Sequence, residues 1–405
     1  MDQIDKISQE NIKETNTKQI LKVFTQMRKL TRIEIATATG ISIPTITNNL
    51  NYLLLEGIIK EVGKATSSSG RKATILEFDA DSRMAFGVDF SSTHLRKTGM
   101  VRFMLTNLDI KIIHEESFPY SSFNNIDDIM DHLKERFISI LDDKSIKTDN
   151  ILGVCFSLPG IINEEEKLLE KGPNMETYLG INHLDFKNYI HLFPFPLEIE
   201  NEAITAALAE MMHDGRSQFS NLVYLAVNRG ISAGIVIGGK IYKGGHHKAG
   251  LLGHQFYKES EEICTCGKKG CWELFAGTGA LIRNYMKLTG ESLESTKEFY
   301  FKLVKGDNNA FTIWNEYLED FSNGIINILI SYDPVNIIIG GEISLFEDFL
   351  IIPLKEKMIQ KNMFHDNQSV NIEISRYKSN ASLIGAAMIP IQAFFRNSKS
   401  LYLSA

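Results

Sequence analysis

GHQFYKESEEICTCGKKGCWE, residues 253–273, gathers three of the chain's four cysteines and one histidine into a single short span. Cys264, Cys266 and Cys271 follow the spacing C-x-C-x4-C, and His254 lies ten residues upstream of the first. Gly267 and Gly270 permit the tight backbone that lets three thiolates converge. Three sulfurs and one imidazole make a closed tetrahedral set, the pattern of a structural zinc rather than a catalytic one. One zinc per chain is therefore expected on His254, Cys264, Cys266 and Cys271. Buried thiols or a disulfide are the alternative, but cysteines one residue apart pair poorly and the glycine placement would then be unexplained.

The same stretch resembles the signature of the ROK family of sugar kinases and sugar-responsive repressors, a G-H pair followed by C-x-C-G-x-x-G-C-x-E. Here its members are Gly253, His254, Cys264, Cys266, Gly267, Gly270, Cys271 and Glu273. The resemblance extends over nearly the whole chain. It implies that His254 both ligates zinc and faces a sugar, and that Glu273 contacts sugar hydroxyls. A bland role for Glu273, as a partner of the zinc site only, stands beside that one.

Working outward, 405 residues are too many for one ordinary domain and enough for two or three packed cores. No run approaches the roughly 18 apolar residues of a membrane span, and the polar start, MDQIDKISQENIKETN, has no signal-peptide core. A cytoplasmic protein is expected, with Cys155 a buried thiol. The net charge of −7 argues against indiscriminate nucleic-acid binding, yet residues 18–72 hold nine Lys or Arg against three Asp or Glu. The basic charge is concentrated at the N-terminus.

That segment, within a first domain over 1–80, carries three short amphipathic patterns. Ile20, Leu21, Phe24 and Met27 keep helical spacing; Thr31 is a plausible N-cap before Ile33, Ile35 and Ala36; Ser42 and Pro44 open a third helix with Ile46, Leu50 and Leu53. Gly40 and Ile41 supply the turn of a helix-turn-helix. The exposed face of the third helix would offer Thr45, Thr47, Asn48, Asn49 and Asn51 to base edges and phosphates. Residues 58–62 and 74–78 alternate like strands around the cationic loop GKATSSSGRKA, completing a winged helix. Arg71 and Lys72 resemble the basic G-R segment of the family's repressors, which lies at the minor groove.

Beyond it, strands at 85–90, 101–106 and 110–116, a helix at 126–141 and a strand at 151–157 suit a ribonuclease-H-like lobe over 81–200. The resemblance implies a two-lobed, actin-like α/β fold, with a second lobe over 201–405 whose last helix returns to the first. Strands at 222–226, 233–237 and 336–339 and helices at 274–288 and 310–332 are expected there. The family's phosphate loop D-x-G-G-T aligns with Asp89, Phe90, Ser91, Ser92 and Thr93, so both glycines are gone. Its G-x-G-I-G loop aligns with Asn228, Arg229, Gly230, Ile231 and Ser232; its G-G-G with Gly340, Gly341 and Glu342.

The resemblance places a sugar cleft at Glu200-Asn201-Glu202-Ala203, matching E-N-D-A, where the asparagine binds sugar and the aspartate is the general base. Glu202 stands for that aspartate, and an extra methylene shifts the carboxylate by roughly 1 Å, enough to cost about 10²-fold. Both residues also suit a helix N-terminus. Leu251 replaces the glutamate of G-E-x-G-H, and Asn174 matches a P-N turn at the cleft. The candidate effector contacts are Asn174, Asn201, Glu202, His254 and Glu273.

Together these imply no enzyme but a sugar-responsive DNA-binding regulator, its partners operator DNA and a small carbohydrate, its state a homodimer or homotetramer. In the family's xylose, glucose and N-acetylglucosamine repressors the effector is a sugar or a partner protein. The alternative is a sugar kinase with an added DNA-binding domain.

Overall fold

The computed structural model describes residues 15–17, 19–24, 27–65, 72–90, 99–173, 175–176, 180–212, 220–361 and 370–397. The first helix, α1, is described at residues 15–17 and 19–24. It leads to β1 (Lys29–Thr31), α2 (Arg32–Thr39), α3 (Ile43–Leu55), β2 (Ile59–Lys64) and β3 (Thr74–Phe78). The boundaries follow local chemistry. Thr31 caps α2 in a reciprocal box, its hydroxyl accepting from the Glu34 N–H while Glu34 accepts from the Thr31 N–H at 2.7 Å. Gly40 ends that helix, and the Ser42 side chain caps α3. Ile20, Phe24, Ile35, Ile46, Leu50, Leu53 and Leu76 form the shared core. The strands order as β1-β3-β2, all antiparallel. Strand β1 is too short to show alternation in the sequence, and Ile33, expected inside, is exposed because its helical position faces away from α3.

The next lobe is built on β4 (Met84–Asp89), β5 (Met100–Asn107) and β6 (Ile112–Pro119), an antiparallel meander. Helix α4 (Ile126–Asp143) covers it, stacking Phe137 on Phe86 with ring centroids 4.0 Å apart. Strand β7 (Ile151–Leu158) then joins parallel to β4. A small antiparallel sheet, β8 (Ile161–Asn163), β9 (Leu168–Lys171) and β10 (Leu184–Asp185), precedes β11 (Leu197–Asn201), which is parallel to β7. The order across the sheet is β11-β7-β4-β5-β6.

After α5 (Glu202–Met212) the same plan recurs. Strands β12 (Leu222–Val227), β13 (Ile231–Ile237) and β14 (Lys240–Ile241) are antiparallel, while β15 (Asn336–Gly340) and β16 (Asn371–Ile374) run parallel to β12, in the order β14-β13-β12-β15-β16. Two sheets of identical order define the actin-like duplication. Between β14 and β15 lie α6 (Glu273–Ala276), α7 (Thr278–Thr289), α8 (Thr296–Val304) and α9 (Asn308–Tyr332); α10 (Glu347–Lys361) precedes β16. The single helix expected over 274–288 is thus broken. The backbone at Gly277 is extended against the 228–229 loop, where a Cβ would stand 2.4 Å from the Arg229 carbonyl oxygen.

The last helix, α11 (Ala381–Asn397), crosses back onto the first lobe and packs on β4, β7 and α5. The crossing with α5 is close enough that a Cβ at Gly385 would fall 1.7 Å from the Thr205 carbonyl oxygen. Farther along, Ile391 and Phe394 join the winged-helix core, with Phe394 and Tyr52 rings 6.5 Å apart. Arg83 bonds Glu56 at 3.0 Å, tying the same two units. Among the described residues no helix is long and apolar enough to cross a membrane.

Candidate functional site

The cysteine-bearing stretch folds into two short antiparallel bridges, Phe256 with Cys271 and Ile263 with Lys269. Gly267 and Gly270 take φ of 86° and 77°, as the converging turn requires. His254, at the end of the tight turn Leu252–His254, is brought alongside, and its ligand atom and those of Cys264, Cys266 and Cys271 all lie within 4.8 Å of one another. Tetrahedral ligands at about 2.3 Å from an ion stand about 3.8 Å apart, so this donor set fits one metal ion. Burial pushes the Cys264 and Cys271 thiols up, Cys271 to about 11. A bound cation is what would favour their thiolates.

Glu273 is buried at the start of α6 and connects this cluster to what lies beside it. One carboxylate oxygen accepts from the Cys264 thiol at 2.8 Å and lies 3.5 Å from His254 Nδ1; the other accepts from the Ile231 N–H at 3.4 Å. Next to it a cavity of about 250 Å³ opens between the lobes. Asn201, Glu202, Leu251, His254 and Glu273 line it together with the apolar Phe90, Tyr120, Ile161 and Met175. Asn174 lies outside the described residues.

The end of β11 and the first turn of α5 place Asn201 and Glu202. The Asn201 amide donates to the Gly160 carbonyl at 2.9 Å and to Glu202 at 2.8 Å, while its oxygen accepts from the N–H groups of Ala203 and Ile204. It therefore caps α5 and lines the cavity at once. Glu202 is buried, accepts from the Ser232 hydroxyl at 2.6 Å, and burial pushes its carboxyl up to about 7.

Residues that carried no sequence signal stand around this core. Lys171 and Lys268 line the cavity from opposite lobes. Lys243, beyond β14, bridges the lobes by bonding Glu164 and Glu200, the latter at 2.5 Å. Ion partners so far apart in sequence have no spacing rule to reveal them.

At the far end of the cleft, Asp89 is buried against Arg102 at 2.5 Å and accepts from the Ser382 hydroxyl at 3.1 Å. Arg102 also donates to Asn380 and to the Ser379 carbonyl. The space there, walled by Arg102, Tyr224, Asn228, Gly341 and Ser382, measures about 20 Å³. Ser91, Ser92 and Thr93 lie outside the described residues.

On the winged helix, Asn48 is exposed and Thr45 and Thr47 are half-buried on α3, with Thr47 bonding back to the Ile43 carbonyl. Asn49 is not on the exposed face. It is 4% exposed, donating to the Thr45 carbonyl at 2.8 Å and accepting from the Thr17 hydroxyl at 3.1 Å. Its position, three after Ile46 and four before Leu53, puts it on the buried stripe of the helix. Lys72 is exposed; Arg71 lies outside the described residues.

The sequence profile of the ROK family matches residues 88–393. A xylose repressor of Caldicellulosiruptor bescii is 26% identical over 401 residues, covering 94% of this chain and 96% of that protein. Among solved structures, a ROK family transcriptional regulator, homolog of the Escherichia coli MLC protein, aligns with a TM-score of 0.77 at 22% identity over 96% of this chain and 98% of its own. A ROK family glucokinase from Streptomyces griseus, in complex with glucose and AMPPNP, aligns with a TM-score of 0.62 at 19% identity over 76% of this chain and 99% of its own.

Proposed function

This chain belongs to the ROK family, and from that premise we propose that it is a sugar-responsive DNA-binding transcriptional regulator, a repressor of carbohydrate-utilisation genes. The observation that carries the reading is an interlobe cavity of about 250 Å³ whose wall is mechanically continuous with a winged helix. Glu202 opens α5 at the cavity; α5 crosses α11 at Gly385; and α11 ends in the winged-helix core at Ile391 and Phe394. An effector that binds one lobe arrangement better than another shifts the population of that arrangement and, through α11, the pose of the winged helix. The relative named a xylose repressor aligns along both parts of the chain.

In this reading Thr45, Thr47 and Asn48 face the operator and Arg71 and Lys72 serve the wing. A symmetric dimer sets its two α3 helices in major grooves about 34–36 Å apart. Zinc on His254, Cys264, Cys266 and Cys271 supplies the cross-link that holds the 254–271 loop, and with it His254 and Glu273, at the cavity edge. Asn201, Glu202, His254 and Glu273, with Asn174, are the effector contacts.

Phosphoryl transfer is not part of the proposal. The Asp89 carboxylate is held by Arg102 and Ser382 rather than standing open. Glu202 is longer than the aspartate of the family's kinases. The test is operator binding by the full-length protein, followed by fluorescence anisotropy with and without a panel of carbohydrates, alongside a coupled assay for sugar-dependent ADP release. Operator affinity that at least one carbohydrate lowers about tenfold or more, with background ADP release, is the expected result. Unchanged operator affinity across the panel, or robust turnover lost on Glu202→Gln, would sink it.

A further inference from the structure

The seam between the lobes, behind Leu251, carries four ionisable groups that neither the cavity nor the metal cluster uses. Lys243 and His247 belong to the loop that follows β14 in the second lobe; Glu164 lies in the turn between β8 and β9, and Glu200 on β11, in the first. Lys243 bonds both carboxylates, Glu200 at 2.5 Å. His247 Nδ1 stands 3.0 Å from the second oxygen of Glu164. Both of those atoms are shielded from solvent, and among the described residues neither has another hydrogen-bond partner. The void left between Lys243, His247, Glu200 and Leu251 measures only about 10 Å³.

With a neutral imidazole, one ammonium serves two carboxylates; an imidazolium at 247 sets two cations against two anions. Burial works against the charge of Glu164, yet the Lys243 ammonium holds its carboxyl below the ordinary 4.5, so it is ionised and able to pair. Imidazole is the side chain whose charge changes between about pH 5 and 8. The other charged groups nearby are engaged elsewhere or out in solvent. Glu198 of β11 pairs with Lys167 at 2.7 Å, Glu166 pairs with Lys187, and Glu165, His246 and Lys248 are exposed. The backbone gives a second, independent sign. His247 has a φ of 53°, in the left-handed region that favours glycine. The loop nonetheless holds an imidazole there, and that imidazole meets a carboxylate of the other lobe.

We propose that His247 and Glu164, with Lys243 and Glu200, form a proton-dependent latch between the lobes that tightens as the medium is acidified from about pH 8 to about pH 6. Protonation places a positive charge 3.0 Å from Glu164 only while the lobes are together, so it stabilises the closed arrangement over any open one. The pair is complete at the acid end of that window and is lost as pH rises through it. The latch does not require the cavity to be an effector site. In a regulator it makes pH a second input to the same equilibrium that a ligand biases.

The test follows amide hydrogen exchange in the full chain with its metal at about pH 6 and pH 8, corrected for intrinsic rates. Protection should be about three- to fivefold higher at the lower pH, the effect of one partly exposed ion pair. It should rise together in residues 243–250 of one lobe and 163–167 of the other, which ordering of a single loop does not produce. His247→Asn and Glu164→Gln should each abolish the rise. Asparagine tolerates the left-handed backbone, so the first variant removes the imidazole without straining the loop. His246→Asn, at the exposed neighbour, should retain the rise. The Glu202 carboxyl, at about 7, titrates in the same window, so the measurement is repeated in Glu202→Gln, where the rise should persist. No rise in the parent, an undiminished rise in His247→Asn, its loss in Glu202→Gln, or a rise confined to residues 243–250 would each overturn the latch.

Discussion

Replacing Lys243 by methionine isolates the contact that joins the lobes beside the cavity. Its ammonium lies 2.5 Å from Glu200 and also bonds Glu164, and its side chain is 26% exposed against 8% for Glu200. Breaking a buried pair by removing one partner costs about 3–5 kcal/mol. Partial exposure of Lys243 places this case near the lower end, about 3 kcal/mol, or roughly 6 °C in thermal midpoint at about 2 °C per kcal/mol for a chain of this size. Burial already pushes the Glu200 carboxyl up, and Lys243 opposes that shift. Without the lysine the folded-state carboxyl rises further above its unfolded value of 4.5. The native state then holds more protons than the unfolded chain above that pH, so the variant loses stability as pH rises and regains it on acidification. Thermal unfolding followed by tryptophan fluorescence from pH 5.5 to 8 measures both effects. Adding Glu200→Gln should restore most of the loss, because no buried charge is left unpaired. A Lys243→Met protein as stable as the parent at pH 8, or one not rescued by Glu200→Gln, would refute the buried-bridge argument.

Metal analysis of protein purified without a metal-binding tag should find one zinc per chain, and Cys266→Ser should lower both metal content and thermal midpoint; a stoichiometry near zero would remove the assignment. Asn48→Ala and Asn49→Ala should separate: the first should weaken operator binding by about 1–3 kcal/mol with normal stability, as loss of a base contact does. The second should destabilise the winged helix by about 1–3 kcal/mol by stranding its buried partners, and equal effects on operator affinity at equal stability would contradict the burial of Asn49. Glu202, whose carboxyl lies at about 7 against 4.5 unfolded, should cost up to about 3 kcal/mol as pH rises through that window, since a raised carboxyl pKa means stability lost with increasing pH. Glu202→Gln should flatten the stability profile between pH 5 and 8; an unaltered slope would place the titration elsewhere.

Much of this architecture was legible in the linear chain because it depends on residues a few positions apart. Thr31, Ser42 with Pro44, and the apolar stripe of α3 set helix ends and faces by local hydrogen bonding and periodicity, and runs of mostly apolar residues marked the buried central strands of both sheets. The cysteine spacing with its two glycines likewise marked a stretch whose four candidate ligand atoms lie within 4.8 Å of one another. Asn49 misled because its polarity suggests solvent, whereas its position on the stripe turns it toward Thr17.

Tertiary structure alone decided what the cleft presents. Asn201 and Glu202 looked like open ligand contacts, but whether their polar atoms are available depends on Gly160 and Ser232, which arrive from the β7–β8 turn and from β13. Arg102 reaches Asn380 across 278 positions to hold the site of Asp89, and Lys243 meets Glu200 across 43. Lys171 and Lys268 become neighbours of one cavity only when two lobes close on each other. Short-range patterns report backbone conformation and the direction a side chain leaves it; which charges meet, and which remain unpaired, is set by contacts between segments whose separation in sequence carries no periodic mark.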